Sequence, residues 1–409
     1  MSPSPISPIP GGVCVTPGVR ASGVSAGLRR PGDVPGGGEG PALDVALVDA
    51  GRVVTAAAVQ TTNQVRAHPV DVTARHVADH RARAVLLNAA SANVCTGPDG
   101  LETALASAAA VADALGCDPL DVLLCSTGVI GQALAREPLL EAVPQAVAAL
   151  GGGRSLDAAR AIMTTDTVPK EAAVRARVGE ASCVVGGMAK GAGMIAPELA
   201  TMLCVITTDA ALEGPQAQEL LLEATRRTFG RISVDECRST NDAVLLLATG
   251  AAPATPPVDV VAEALTAVCE RLAESLVRDG EGATRVLHIR VSGARTEEDA
   301  LGVARAIGSS VLVRTALAGG DPNWGRVLAA MGAGPVRFDP ERVHVAFGPV
   351  TVCRFGVAAA FERHQAANAL RGEDVRLHVE LGTGGRREAT LLTCDLTHDY
   401  VTINGEYTT

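Results

Sequence analysis

Short apolar runs alternate with longer stretches of helical periodicity along most of the chain. In the first half, strands are predicted at 43–48, 53–59, 84–87 and 122–125, and helices at 101–115 and 133–150. In the second half, strands are predicted at 202–207, 243–247, 286–291, 375–381 and 389–395, and helices at 216–228, 258–277 and 297–307. This alternation predicts an α/β architecture. Residues 1–40 are rich in proline and glycine and are predicted to form an entry segment and loop.

Composition narrows the class of protein. The 409-residue chain is 47% hydrophobic, enough for about two to three domain-sized cores. Its net charge of -10 disfavours nucleic acid and anionic membranes as partners. The apolar runs are far shorter than the roughly 20 residues of a membrane-spanning helix, and the start of the chain does not resemble a secretory signal.

The cysteines and the glycine patterns bear on cofactors and location. The ten cysteines are scattered without a Cys-x-x-Cys pair or a local Cys/His cluster, so neither a zinc site nor a disulfide framework is predicted. They are expected to be buried thiols in a reducing cytoplasm. No dinucleotide fingerprint or phosphate-binding loop is visible, so no cofactor and no metal is expected.

Lysine is rare in this chain. Of 35 basic residues only Lys170 and Lys190 are lysines, and the other 33 are arginines. A compact ammonium can be required where a planar guanidinium does not fit. Each lysine is therefore a candidate functional residue, Lys190 more than Lys170, with chance survival as the alternative.

The segment before Thr201 has the backbone properties of a tight turn. Gly191 and Gly193 give conformational freedom, and Pro197 restricts the path just upstream of Ala200 and Thr201. A threonine hydroxyl can become a nucleophile when its residue is the first of a chain, because the free α-amine then acts as base. A cut between Ala200 and Thr201 would produce that state. From the residues alone, the alternative of a packed β-branched strand residue stays open.

Six motifs in order carry a resemblance to a known family. They are Ser126-Thr-Gly-Val-Ile-Gly131, Met163-Thr-Thr-Asp-Thr167, Lys190-Gly-Ala-Gly-Met-Ile-Ala-Pro-Glu-Leu-Ala-Thr-Met-Leu203, Ser239-Thr-Asn-Asp242, Asp279-Gly-Glu-Gly-Ala-Thr284 and Asp321-Pro-Asn-Trp-Gly-Arg326. Together they resemble the ornithine acetyltransferase (glutamate N-acetyltransferase) family, over almost the whole chain from about residue 23 to residue 409.

The resemblance implies a self-processing acyltransferase. It implies a layered α/β fold of the N-terminal-nucleophile type shared with L-aminopeptidases, cut at Ala200-Thr201 into an α chain (1–200) and a β chain (201–409). Two α and two β chains would form a heterotetramer. Thr201 would carry the acetyl group in a ping-pong cycle of arginine biosynthesis, in which N-acetylornithine becomes ornithine and glutamate becomes N-acetylglutamate. Acetyl-CoA as a further donor is left open.

The resemblance also assigns site residues. It places the oxyanion hole at Thr127 and Gly128, where a predicted strand runs into a glycine turn. It places the substrate contacts at Thr164, Lys190, Thr201, Glu281, Asn404 and Thr409, with Thr165 as an alternative to Thr164. Lys190 suits the substrate α-carboxylate, and Glu281 suits the ornithine side-chain ammonium.

Two motifs have simpler structural interpretations. In Asp321-Pro-Asn-Trp-Gly-Arg326, either Asp321 or Asn323 is expected to cap a helix, with Trp324 packed in a core. Ser239-Thr-Asn-Asp242 is expected to be a polar turn before a strand. Residues 88–96 form a polar loop that is a candidate for lining the cleft.

The chain departs from the family pattern at two places, Gln60-Thr-Thr-Asn63 and Glu236-Cys-Arg238. Both affect the expected cleft shape and therefore substrate identity. Three alternatives to the arginine-pathway enzyme remain at this point. They are an acyltransferase of specialised metabolism, an N-terminal-nucleophile hydrolase or aminopeptidase, and an uncleaved binding protein without activity.

Overall fold

The computed structural model describes residues 5–29, 42–196 and 202–406. These residues form two compact units. The first contains residues 5–29, 42–196, 202–230 and 237–276, and the second contains 231–236 and 277–406. This division of the fold differs from the predicted division into α and β chains, which concerns a covalent cut and remains a prediction.

The strands and helices of the described residues are as follows. The strands are β1 (Ile6–Ile9), β2 (Arg20–Val24), β3 (Val45–Gln60), β4 (Arg81–Asn88), β5 (Val122–Ser126), β6 (Lys170–Val178), β7 (Ala181–Lys190), β8 (Leu203–Thr208), β9 (Ile232–Ser233), β10 (Ala243–Ala248), β11 (Val286–Ala294), β12 (His344–Phe347), β13 (Val350–Arg354), β14 (Val357–Ala358), β15 (Asp374–Glu380) and β16 (Arg387–Cys394). The helices are α1 (His68–His76), α2 (Gly97–Leu115), α3 (Arg136–Ala148), α4 (Ser155–Ala161), α5 (Gly214–Arg227), α6 (Val258–Arg278), α7 (Glu297–Gly308), α8 (Val311–Ala318), α9 (Trp324–Ala333), α10 (Arg363–Asn368) and α11 (His398–Glu406).

The sheet of the first unit is mixed and buried on both faces. Its strand order is β1-β6-β7-β8-β10-β3-β4-β5, and β2 also pairs with β3. Alternate residues of β3 serve different cores, since Val45 and Leu47 pack with α2 and α3, whereas Ala46 and Val48 pack on the opposite face with α4. Side chains alternate between the two faces of a strand, so this burial explains the continuous apolar runs in the sequence. The predicted α/β class is confirmed.

The register of three strands brings their ends together at one edge of this sheet. Lys190, the last residue of β7, pairs with Leu203, the first residue of β8. Leu203 also pairs with Ala243, the first residue of β10. Residues that lie just beyond these three ends are therefore neighbours in space, although they are far apart in the sequence.

The second unit has its own sheet and core. The strand order is β14-β13-β12-β15-β11-β16-β9, and α7 and α9 pack on it through Ala304, Ile307 and Met331. Helix α9 begins where Asn323 accepts a hydrogen bond from Arg326 N through its side chain. Asn323 is thus the predicted cap, and Trp324 packs against the core at partial exposure.

Three predictions need correction. The strands predicted at 43–48 and 53–59 are one strand, β3, whose pairing with β4 shifts register between Asp49 and Val54. An irregularity of this kind bends a strand without ending it. The loop predicted for residues 1–40 is wrong for 5–29, where β1 and β2 join the sheet. The prediction for cysteines is wrong at Cys95 and Cys237, which are exposed.

Within the described ranges, no single helix has the length and hydropathy of a membrane crossing. Helices α7 and α8 meet those criteria only as a pair bent by 61°.

Candidate active site

The turn predicted as an oxyanion hole follows β5 and is fixed by the loop after β4. Thr127 N donates to Asn88 O at 2.9 Å, and Val129 N donates to Ala90 O at 3.0 Å. Gly128 has φ +129°, and a Cβ at this position would lie 2.2 Å from Ala90 C. Only glycine fits there, because the backbone conformation and the contact both exclude a side chain.

Asn241 supports this turn from the loop before β10. Its Nδ2 donates to Ser126 O at 2.8 Å and to Ala92 O at 2.7 Å. Two backbone carbonyls from separate loops are thereby tied to one buried amide. The motif at 239–242 is therefore a buried link between β10 and the turn at Thr127 and Gly128, which goes beyond the polar turn predicted for it.

Lys190 lies against two of the predicted threonines. The side chain is only 2% exposed, and its Nζ donates to Thr164 Oγ1 at 2.6 Å and to Thr127 Oγ1 at 3.3 Å. The structure thus brings Thr127, Thr164 and Lys190 together from three different segments of the chain. Of the two alternatives at the Thr-Thr pair, Thr164 is the one whose hydroxyl accepts from Lys190.

Asp166 lies between the two lysines of the chain. Its Oδ1 accepts from Lys170 Nζ at 2.6 Å and from Gly191 N at 2.6 Å. Its Oδ2 accepts from Thr164 N at 2.9 Å and lies 3.9 Å from Lys190 Nζ. We call Lys170, Asp166 and Lys190 the lysine–aspartate cluster. All three side chains are at most 2% exposed.

Asp242 contacts the first described residue after Thr201. Met202 N donates to Asp242 Oδ1 at 3.0 Å, and the Asp242 side chain is fully buried. The residues predicted as the cleavage site, Ala200 and Thr201, lie outside the described residues.

Glu281 and Asn404 form a pair in the second unit. Asn404 Nδ2 donates to Glu281 Oε2 at 2.6 Å. Glu281 precedes Gly282, whose φ is +68° and at which a Cβ would lie 2.5 Å from Tyr400 N. Helix α11 therefore packs closely against the loop that carries Glu281. Thr409, the third residue predicted in this part of the chain, lies outside the described residues.

Comparison with known proteins identifies the family. The model of the ArgJ family matches residues 20–409. The arginine biosynthesis bifunctional protein ArgJ of Symbiobacterium thermophilum is 44% identical over 405 residues, which cover 98% of this chain and 99% of that protein. The protein of the same name from Mycobacterium tuberculosis strain H37Rv is 45% identical over 404 residues, covering 97% and 96%. The chain belongs to the ArgJ family.

Two solved structures, of an ArgJ protein and of an ornithine acetyltransferase, are each similar to about half of this ArgJ family member. The arginine biosynthesis bifunctional protein ArgJ of Bacillus halodurans is 36% identical, covers 49% of this chain and 97% of its own, and has a TM-score of 0.47. The ornithine acetyltransferase of Mycobacterium tuberculosis, solved with ornithine, is 38% identical, covers 48% and 100%, and has a TM-score of 0.42.

Membership of the ArgJ family confirms the predicted resemblance and the predicted enzyme class. The chain is an acetyltransferase of arginine biosynthesis. The identities of the individual site residues remain predictions, for which the geometry above supplies the physical case.

The electrostatics of the lysine–aspartate cluster fix the charge of its aspartate. Burial acts to raise the pKa of Asp166, but the charges of Lys170 and Lys190 outweigh it and hold that pKa at about 2. Asp166 is therefore an anion at neutral pH, with two buried lysine side chains beside it.

Three functional candidates in this ArgJ family member were absent from the predicted site. Asp166 and Asp242 lie inside two of the six motifs, but a motif does not show which of its side chains face inward. In the sequence, Lys170 is distinguished only by being one of two lysines. The available signal was the pairing of a rare lysine with an aspartate four residues before it.

Proposed function

We propose that the chain is a glutamate N-acetyltransferase that moves the acetyl group of N-acetylornithine to glutamate through an acyl-enzyme on Thr201. The observation that carries this proposal is the contact of Lys190 with both Thr127 and Thr164. A buried lysine thus lies beside the turn that we propose as the oxyanion hole, and β7, on which Lys190 lies, pairs with the strand that begins two residues after Thr201. Acyl transfer needs stabilisation of the oxyanion, and the α-carboxylate of the proposed substrates needs a cationic partner.

In this mechanism the Thr201 hydroxyl first cuts its own peptide bond. The hydroxyl attacks the Ala200 carbonyl, the acyl group shifts from nitrogen to oxygen, and water hydrolyses the ester. The new α-amine of Thr201 is then the base that activates the same hydroxyl toward the acetyl group of N-acetylornithine. Ornithine leaves, and glutamate takes the acetyl group in the second half of a ping-pong cycle.

The Thr127–Gly128 turn stabilises the negative charge that develops on the acetyl oxygen. Gly128 has a positive φ and no side chain, so its backbone N–H can be exposed to the substrate. The Thr127 hydroxyl is a second donor. Fixed donors of this kind do not have to reorganise during the reaction, and loss of one donor slows acyl transfer by about 10²- to 10³-fold.

The two substrates share one end and differ at the other. N-acetylornithine and glutamate both carry an α-carboxylate, for which Lys190 is the proposed partner. Only the donor has a side-chain ammonium, for which Glu281 is the proposed partner. Asn404 holds Glu281 through one oxygen. We include Thr409 as a further contact because the family resemblance assigns it.

The proposal includes the processed form and its surroundings. The cut gives an α chain of residues 1–200 and a β chain of residues 201–409, assembled as two of each. We place the enzyme in the cytoplasm, because all ten cysteines are free thiols and thiols persist in reducing compartments. Acetyl-CoA as a second donor would fit the word bifunctional in the names of the relatives.

The test compares transfer with hydrolysis. Purified protein is given N-acetylornithine with and without glutamate, and N-acetylglutamate, ornithine and acetate are quantified. We expect N-acetylglutamate to form in step with ornithine and to exceed acetate. Release of acetate without transfer would contradict the proposal and favour the hydrolase alternative. A control with acetyl-CoA as sole donor measures the second activity.

A further inference from the structure

Asp242 holds the chain at the point where it leaves Thr201. Its Oδ1 accepts a hydrogen bond from Met202 N at 3.0 Å. Ala243, the residue after Asp242, donates from its N to Met202 O at 3.1 Å. The N–H that Asp242 binds belongs to the peptide unit between Thr201 and Met202. Along the chain, this amide is the next one after the nitrogen of the Ala200-Thr201 bond.

The second oxygen of this carboxyl group, Oδ2, lacks a regular hydrogen bond within the described part of the chain. Asp242 is fully buried, and Oδ2 has no hydrogen-bond partner of normal geometry among the described residues. Its backbone oxygen is already occupied, since it accepts from Thr61 N at 3.0 Å. A buried carboxylate oxygen without a partner is unfavourable, whereas a protonated oxygen carries no charge.

The surroundings favour the protonated form. Burial raises the pKa of Asp242 well above its usual value. The Met202 amide, the Ser239 hydroxyl and the charges of Lys190 and Arg238 act in the opposite direction but do not outweigh burial. A carboxylic acid with a raised pKa keeps its proton to a higher pH than an ordinary aspartic acid, and a protonated carboxyl group can donate its proton during a reaction.

Self-cleavage requires such a donor. When the Ala200-Thr201 bond breaks, the nitrogen of Thr201 keeps the electron pair of that bond and must take a proton, because an amide anion is a very poor leaving group. We propose that Asp242 is the acid that delivers this proton through Oδ2. This inference rests on the proposed self-cleavage at Thr201 and names a residue for one of its steps.

Two proton transfers accompany the cut. The Thr201 hydroxyl loses its proton to water as its oxygen bonds to the Ala200 carbonyl carbon, and the carbonyl electron pair moves onto oxygen. That pair returns as the C–N bond breaks, and nitrogen takes the proton of Asp242. The products are an ester, a free α-amine and the Asp242 carboxylate. Water then hydrolyses the ester, which restores the Thr201 hydroxyl.

The chain offers a matched control at the other end of β8. Asp209 is also buried, at 7% exposure, and it accepts from a backbone amide, Val184 N, at 2.7 Å. Burial raises its pKa as well. Asp242→Asn and Asp209→Asn are therefore the same change in the same kind of environment, but only Asp242 adjoins the cut.

The experiment follows cleavage of the full chain after a pulse of cell-free translation, on a denaturing gel, for wild type, Asp242→Asn, Asp209→Asn and Thr201→Ala. Asparagine keeps an acceptor for Met202 N but has no acidic proton. We expect Asp242→Asn to slow cleavage by about 10²- to 10⁴-fold, while Asp209→Asn cleaves at the wild-type rate. Resistance of the uncut chain to limited proteolysis checks that each variant is folded.

A pH series on the wild type gives an independent readout. Because the acid form is the active one and its pKa is raised, the cleavage rate should fall as pH rises through that pKa. If Asp242→Asn cleaves like wild type, or if the rate does not fall at high pH, the role of Asp242 is wrong. If Thr201→Ala still splits, the self-cleavage itself is wrong, and the two failures are thereby distinguished.

Discussion

At the scale of single residues, the two lysines have different tasks. Lys170 binds Asp166 at 2.6 Å, whereas Lys190 lies farther from that carboxylate, at 3.9 Å, and donates to threonine hydroxyls. An ammonium group is compact and its three donors rotate freely, whereas a guanidinium is larger and holds its donors in a rigid plane. This requirement explains why lysine survives at these positions in a chain that otherwise uses arginine.

We predict that Asp166→Asn destabilises the fold in a pH-dependent way. Two buried cations lose their anion, so the free energy of unfolding should fall by about 3 to 5 kcal/mol at neutral pH. The pKa of Asp166 is about 2 in the fold, against an ordinary value of 3.8. The stability that this carboxylate contributes is therefore complete above pH 3.8 and disappears as pH falls toward 2.

Denaturant unfolding of the wild type and of Asp166→Asn, from neutral pH down to about pH 2, checks the prediction. Asp71→Asn is a suitable control, because the ion pair of Asp71 with Arg66 is partly exposed and such pairs contribute about 1 kcal/mol or less. An Asp166→Asn variant as stable as wild type at pH 7 would contradict the role assigned to the cluster.

At the scale of elements, local patterns predicted the buried strands but missed the strand that carries Lys190. The segments that form β5, β8 and β10 are short, continuous apolar runs, so the sequence predicts them as strands. β7 contains Gly186, at which a Cβ would lie 2.2 Å from Gly12 O. Close packing against the start of the chain requires glycine there, and glycine weakens the strand signal.

Local sequence patterns also do not predict which distant segments of the chain come into contact. Among the described strands, β1 contains Pro8 and pairs with β6 alone, and proline is tolerated on such an edge strand although it argues against a strand in sequence. Thr127 follows β5, Thr164 follows α4 and Lys190 ends β7. The resemblance could name these residues, but only the folded chain shows that their side chains are in contact.

The loop held by α11 leads to a prediction about substrate selection. Glu281→Gln keeps an acceptor for Asn404 Nδ2 but removes the negative charge. We expect the KM for N-acetylornithine to rise about 10- to 100-fold, the value of one hydrogen bond to a charged group. The KM for glutamate should not rise, because glutamate has no side-chain ammonium.

Steady-state kinetics with each substrate varied in turn measure this difference. The exposed Glu298 in the first turn of α7 supplies the control Glu298→Gln, which should leave both KM values unchanged. An equal rise of the two KM values in Glu281→Gln would show that the residue does not distinguish the donor from the acceptor.

At the scale of the whole molecule, the proposed cut divides one sheet between two chains. β8 and β10 follow Thr201, yet they lie between β7 and β3, which precede it. Six residue pairs join β7 to β8 and six join β3 to β10. The strands of the second chain are therefore inserted in the middle of a sheet built mainly by the first.

We predict that the cleaved chains remain together until the protein unfolds. Size-exclusion chromatography in native buffer should give one species, from which a denaturing gel resolves two bands. The bands should separate on the column only at denaturant concentrations that also abolish the secondary structure seen by circular dichroism. Separation of the two chains in native buffer would contradict the strand order described above.

The central claim is that Thr201 is both the new N-terminus and the residue that carries acetyl. Intact-mass analysis with N-terminal sequencing, before and after brief exposure to N-acetylornithine without glutamate, tests both parts at once. The account predicts two chains, the second beginning at Thr201 and gaining one acetyl group that is lost when glutamate is added. A single uncut chain, a different N-terminus, or acetyl on any other residue would contradict it.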